Sequence, residues 1–283
     1  MGQDKPLPHA VQYFMKKLLY ILVVIFFPNL SPAEKLDTVV YRIIYNADVK
    51  DHKESSMYHE TGILEIGDSI SYFYGLDLKN HLQAIGSKEQ RARIDMNDPT
   101  TWPTVISLTF GVYRNYPTKG MSTYYHYIQE PRIFYYEEDI PQIDWQLIAG
   151  DTTLLGYQCQ KATCKFRGRD WTVYYTMDVP ISEGPWKLCG LPGLVLYARE
   201  SLGEFTFSCA GIEKPENAYI EVNKRLWTKV GQREMEEQLI KFYDDQLDWI
   251  TRAAGLGYIA DALKRNKNVK KTSLIPCLIE TFK

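Results

Sequence analysis

Chemistry in this chain would have to come from its cysteines, histidines and acidic clusters, and their spacing offers little of it. The five cysteines are Cys159, Cys164, Cys189, Cys209 and Cys277, with no CxxC pair among them. The histidines beyond residue 33 (His52, His59, His81 and His126) are scattered. A structural zinc site needs four clustered nitrogen or sulfur ligands, so no metal is expected. Cys159 or Cys189 would form a nucleophile–base pair with His126 only if the fold brought them together. Glu137-Glu138-Asp139 lacks the spaced ligands of a calcium loop and reads as a solvated turn. Arg167-Gly168-Arg169-Asp170 reads as a charged hairpin turn. The chain has no GxSxG elbow, HExxH pair, phosphate-binding loop or GxGxxG turn. No catalytic residue and no cofactor is assigned on this basis, and a non-enzymatic protein is expected.

The most distinctive stretch is Gly184-Pro185-Trp186-Lys187-Leu188-Cys189-Gly190-Leu191-Pro192-Gly193-Leu194-Val195. Upstream lie Gly156-Tyr157-Gln158-Cys159-Gln160-Lys161-Ala162 and Gly168-Arg169-Asp170-Trp171-Thr172-Val173-Tyr174-Tyr175. In this order the motifs resemble those of the GLPGLI family, exported proteins common in Bacteroidetes and named for the segment matched by Gly190 to Val195. Val195 stands where the family segment ends in Ile. The resemblance covers Trp145 to Ile212 and implies an exported β-rich domain. The family has no established activity, so it transfers no catalytic residue.

Leu191-Pro192-Gly193-Leu194 suits a type II turn, because Pro fixes φ near −65° and Gly accepts positive φ at the next position. Gly184-Pro185 breaks the chain just before Trp186. Held between two rigid corners, Trp186 is expected to cap the end of the core, with Lys187 along the indole or paired with a carboxylate. The loop either sets the register of the next strand, Leu194 to Arg199, or meets a ligand or partner. In the second case Trp186, Lys187, Gly190, Leu191, Pro192, Gly193 and Trp171 are the contact candidates.

Strands must position these groups. Thr38–Tyr45, Gly62–Ile66, Ser69–Tyr74, Val105–Tyr113, Ser122–Ile128, Arg132–Tyr136, Trp171–Met177 and Glu204–Ile212 carry strand patterns. In the last two of these, Trp171–Met177 and Glu204–Ile212, apolar and polar residues alternate with period two. Gly67-Asp68 and Asp151-Thr152-Thr153 read as turns, and Leu78–Asp95 as an irregular segment with a short helix. From Thr228 to Arg252, Met235, Leu239, Phe242, Leu247 and Ile250 form an apolar stripe at helical spacing, stopped by Gly255. Links of hairpin length imply an antiparallel sheet.

At the start, Met15-Lys16-Lys17, the apolar run Leu18–Phe27 and the small residues before Ala33 form a secretory signal. Residues 1–14 read as an upstream extension and 34–283 as one GLPGLI-type β-rich domain. Without residues 1–33 the balance is 30 basic against 34 acidic residues, or −4. That leaves no basic footprint for nucleic acid, and no membrane-spanning segment follows the signal. Export permits disulfides. Cys159 with Cys209 is the favoured pair, both facing inward on neighbouring strands. Cys159 and Cys164, five apart, point to opposite faces under strict alternation.

The expected fold is mainly β: a curved antiparallel sheet, half-barrel or sandwich-like, with a helix near the C-terminus. The expected function is to bind or carry a hydrophobic small molecule in the periplasm or at the outer membrane. The alternatives are a cell-envelope adaptor that contacts another protein and an unrecognised hydrolase.

Overall fold

The computed structural model describes residues 33–86, 107–129, 132–253, 261, 264–265 and 274–282. The first half contributes β1 (Glu34–Val49), β2 (Tyr58–Gly67), β3 (Ser71–Gly75), helix α1 (Leu76–Gly86), β4 (Phe110–Arg114), β5 (Met121–Gln129) and β6 (Arg132–Asp139). The second half contributes β7 (Gln146–Leu154), β8 (Tyr157–Phe166), β9 (Arg169–Thr176), β10 (Leu194–Glu200), β11 (Phe205–Glu213), β12 (Tyr219–Val222) and β13 (Trp227–Lys229). Helices α2 (Gln232–Asp244) and α3 (Gln246–Ala253) follow.

All thirteen strands form one open sheet, ordered β13-β6-β5-β4-β3-β2-β1-β11-β10-β9-β8-β7, with β12 paired to the N-terminal half of β1. The pairings are antiparallel except β13 beside β6. The sheet is strongly bent. Phe73 on β3 and Phe207 on β11 lie three strands apart, about 14 Å on a flat sheet, yet their ring centroids are 5.6 Å apart. The inner face packs Ile43, Tyr45, Leu64, Phe73, Trp171 and Phe207 against Met235, Leu239 and Phe242 of α2. A smaller core on the outer face joins Tyr72, Tyr74, Tyr113, Tyr125 and Ile220 to Leu78 of α1.

Several local features differ from the sequence reading. The single helix over 228–252 is two helices with a short strand before them, because Asp245 ends α2 and caps α3. It leaves helical geometry at φ −152° and ψ 80°, and its Oδ1 accepts the Asp248 N–H at 3.0 Å. A short polar side chain at that place satisfies an otherwise orphaned amide. The Gly67-Asp68 hairpin is longer than two residues. Gly67 N–H bonds Ile70 O at 2.9 Å, and Asp37 Oδ2 accepts the amides of Ser69 and Ile70. Asp151-Thr152-Thr153 lies inside β7, where the register to β8 shifts between Ile148 and Thr152. β7 is the outermost strand, and a break there discourages edge-to-edge pairing. Leu78–Asp95 begins as α1, and residues 87–95 lie outside the described set, as do residues 1–32 of the proposed signal.

Candidate functional site

Between β9 and β10 the motif loop folds back into the molecule. Trp186 is wholly buried, with ring centroids 5.4 Å from both Trp171 and Phe166. It sits within the core rather than capping its end. It also adopts φ +52°, a left-handed conformation that costs a residue with a side chain about 1–2 kcal/mol. Arg114 of β4, itself buried, holds it there. One guanidinium nitrogen donates to the carbonyls of Gly184 and Trp186, and the other meets Glu183 at 2.5 Å and Ser71 Oγ at 3.2 Å.

The glycines of the motif serve differently from a type II turn. Positive φ falls on Gly190, at +94°. Gly193 is required instead by close approach, since a Cβ there would lie 2.0 Å from the Thr176 carbonyl oxygen. Gly193→Ala is therefore expected to cost about 3 kcal/mol in urea unfolding, while exposed Pro192→Ala stays within about 1 kcal/mol. Equal effects would refute this account of the turn.

Of the seven contact candidates, Trp171, Trp186, Lys187, Leu191 and Gly193 are buried, and only Gly190 and Pro192 are exposed. The motif's large side chains face inward, which suits a loop that orders the fold. Lys187 is 1% exposed. Its ammonium lies 2.5 Å from Glu138 Oε1, 2.6 Å from Glu280 Oε1 and 2.6 Å from the Tyr136 hydroxyl. It also sits over the rings of Tyr124 and Tyr136. Glu280 accepts the Tyr136 hydroxyl and, at 3.2 Å, the Trp186 indole N–H. Glu138 accepts Arg167 and, at 2.5 Å, the Gln232 amide. Two cations thus balance two anions.

The acidic run 137–139 is accordingly the end of β6 and not a solvated turn: Glu138 faces this cluster while Glu137 pairs with Lys229 and Lys224. Glu280 was invisible to sequence reasoning. It comes from the strap 274–282, which lies across the inner face through Cys277 N–H to Asp51 O, Leu274 N–H to Tyr243 O and Thr281 N–H to Arg167 O.

Arg167 and Gly168 do form a two-residue hairpin, at φ +51° and +77°. Arg169, however, is a buried cation and not part of an exposed turn. It pairs with Glu200 at 3.0 Å and Glu204 at 2.8 Å and donates to the Leu278 carbonyl at 2.9 Å. Burial pushes the Glu204 carboxyl up, but bonds from Lys53 and Arg169 outweigh that and hold it below its ordinary value.

All five cysteines are free thiols. Cys159 on β8 and Cys209 on β11 are not on neighbouring strands, since β9 and β10 lie between them. Cys159 and Cys164 both enter the inner core, and the break in alternation falls beside the register shift of β7. Burial pushes Cys164 and Cys277 up to about 12 and Cys209 up to about 11, which keeps them protonated and weakly nucleophilic at neutral pH. His126 faces the Thr109 hydroxyl at 2.9 Å and the Tyr124 hydroxyl at 3.2 Å instead of a thiol.

Two spaces bear on ligand binding. The inner cavity, bounded by β4, β5, α2 and the strap, has a volume of about 30 Å³, room for one or two waters. On the outer face, between α1 and the β12–β13 segment, lies a groove of about 350 Å³. Its walls are Tyr72, Tyr113, Tyr125, Trp227, Leu82 and Ile133, and its rim carries Lys79, Gln83, Glu221 and Asn223. Tyr72 stacks on Tyr113 at 3.8 Å, and Tyr125 packs on Trp227 at 4.8 Å. The Tyr72 and Tyr125 hydroxyls bond at 2.7 Å, and Tyr113 donates to the Glu221 carbonyl at 2.7 Å. The walls are thereby fixed before any ligand arrives. Burial holds all three phenols above their ordinary pKa, hence neutral.

Comparison with known proteins adds little about function. The model of a family described as "Protein of unknown function (Porph_ging)" matches residues 168–197, which run from the β8–β9 turn through the motif into β10. No curated protein matches the chain. Two solved structures of PNGF-II, in P21 and C2 space groups, are each 15% identical, with TM-scores of 0.49 and 0.47. They cover 74% and 72% of this chain, which spans 34% and 33% of theirs. No helix among the described residues is long and apolar enough to cross a membrane.

Proposed function

We propose that this protein is an exported member of the GLPGLI family that binds an apolar small molecule, without making or breaking bonds in it, in the groove on the outer face of its sheet. The signal-like residues 15–33 support export to the periplasm or cell surface. The observation that carries the binding role is the groove. Its volume falls within the 300–1,000 Å³ typical of small-molecule sites, and its walls are preformed, apolar and aromatic with a thin polar rim. The inner face is filled by side chains down to a water-sized space.

The adaptor reading needs tyrosines turned outward in a patch. Instead, Tyr45, Tyr72, Tyr74, Tyr113, Tyr124, Tyr125, Tyr136, Tyr175 and Tyr243 are all buried, which favours the ligand.

The test is organic extraction of the purified mature protein with mass spectrometry of the extract, beside titration with a neutral naphthalene probe. A co-purified apolar compound or saturable probe binding is expected. Trp227→Ala should weaken probe binding about tenfold or more, as loss of an aromatic anchor does, while Trp249→Ala leaves it unchanged. A clean extract together with no saturable binding would defeat the reading.

A further inference from the structure

The arrangement around Lys187 resembles a reaction centre more closely than a resting ion pair. A nucleophile, an electrophile, a base and oxyanion donors meet in one dry place. We propose that Lys187 and Glu280 condense into an intramolecular amide, which fastens the C-terminal strap to the motif loop.

Each part of the chemistry has a residue in position. The Lys187 nitrogen lies 2.6 Å from Glu280 Oε1, which places it beside the carboxyl group it would attack once deprotonated. Glu138 Oε1, 2.5 Å from the same nitrogen, is placed to take a proton from the ammonium. The Tyr136 hydroxyl donates to Glu280 Oε2, where negative charge grows as the carbonyl becomes tetrahedral. The Trp186 indole N–H steadies Oε1 from the other side. Three side chains frozen by packing present the geometry that raises the effective concentration of an intramolecular nucleophile by orders of magnitude.

The step balances without any other reactant. Glu138 takes one proton from the Lys187 ammonium, and the freed lone pair forms the C–N bond to Glu280. Glu138 hands that proton, and then the second nitrogen proton, to Oε1. The C–Oε1 bond breaks and one water leaves. One ammonium and one carboxylate have become one neutral amide and one water, with no net change in protons and no oxidant. The product removes two buried charges whose desolvation is expensive. Lys187, Glu138 and Glu280 are all nearly inaccessible, so bulk water has little access to reverse the step. Glu280 also lines the inner cavity of about 30 Å³, large enough to receive the departing water.

Intact-mass measurement of the denatured, reduced wild-type protein tests this directly. A deficit of one water is expected, with a branched proteolytic peptide joining Lys187 to Glu280. Lys187→Met and Glu280→Ala should each show their full calculated mass. Glu138→Gln, which keeps the hydrogen-bonding shape but loses the base, should fold by circular dichroism yet retain the water. Full mass in folded wild-type protein overturns the proposal whatever the variants do. A branched peptide through Glu138 overturns the assignment of the electrophile, and a Glu138→Gln protein that condenses like the wild type overturns the assignment of the base.

Discussion

Lys187→Met should lower the unfolding free energy by about 3–5 kcal/mol, because it leaves the Glu280 carboxylate buried without the lysine nitrogen that pairs with it or, once condensed, neutralises it. The methionine fills nearly the same volume, so little of the loss comes from a cavity. It comes from charge. Glu138 and Glu280 would remain buried with Arg167 as the nearby cation, and Arg167 pairs with Glu138 rather than Glu280. Glu280 would keep two neutral donors, Tyr136 and Trp186, which stabilise a carboxylate less than an ammonium does. Since a domain of this kind has about 5–15 kcal/mol in all, the variant should fold marginally and melt well below the wild type.

Urea unfolding followed by tryptophan fluorescence measures the loss. Adding Glu280→Leu removes the stranded carboxylate, so the double variant should be more stable than Lys187→Met alone, giving a coupling energy of opposite sign to the single losses. A single variant within about 1 kcal/mol of wild type, or a double variant no better than the single, would show that the cluster does not organise the fold as argued.

Strands β9 and β11 are the most legible in the sequence because one physical fact, burial of one face, writes period-two alternation into them, whereas β3 and β4 are buried on both faces. Phe205, Phe207, Trp171, Val173 and Tyr175 point inward as that pattern requires. What escapes are places where a single residue answers to something distant. Gly193 looks like a turn glycine, but its lack of a Cβ is demanded by the Thr176 carbonyl on the preceding strand. Asp245 is masked by an apolar stripe that continues past it, although a capping aspartate is a local signal and could have been read. Arg169 and Glu138 look like surface charge because nothing nearby in sequence marks their partners, Glu200, Glu204, Lys187 and Arg167.

The candidate site shows the same limit more strongly. The groove is assembled from β3, α1, β4, β5, β6 and the β12–β13 segment. The strands β3, β4, β5 and β6 contribute one residue each, α1 three and the β12–β13 segment four, and each of these, taken alone, belongs to an ordinary half-buried strand or helix. The motif, conversely, is conspicuous because its constraints are local: two prolines, several glycines and a tryptophan. That explains why the sequence draws attention to a loop whose side chains turn out to be internal.

Acid should loosen this fold well before its ordinary carboxylates titrate, and His126 is the reason. Burial pushes its imidazole down to about 3, against about 6.5 in an unfolded chain. Between these values the unfolded state binds a proton that the native state refuses, so stability falls as pH falls. The contribution is complete above pH 6.5 and is lost progressively toward pH 3. From pH 7.5 to 5.5 the loss amounts to about 1 kcal/mol. Asp51 and Glu60, both raised by burial, act with the opposite sign nearer the carboxylate range. Glu204, held low, acts with the same sign but at lower pH. The upper window therefore isolates His126.

In His126→Phe, which keeps the ring volume, the difference in unfolding free energy between pH 7.5 and 5.5 should shrink by about 1 kcal/mol relative to wild type. An unchanged pH dependence would mean that the imidazole is protonated in the native state. Because His126 borders the inner cavity together with Cys277 and Glu280 of the strap, its protonation puts a cation against the strap's seat. Acid-induced opening is thus expected to begin there, and amides of residues 274–282 should lose hydrogen-exchange protection before those of β9 and β10.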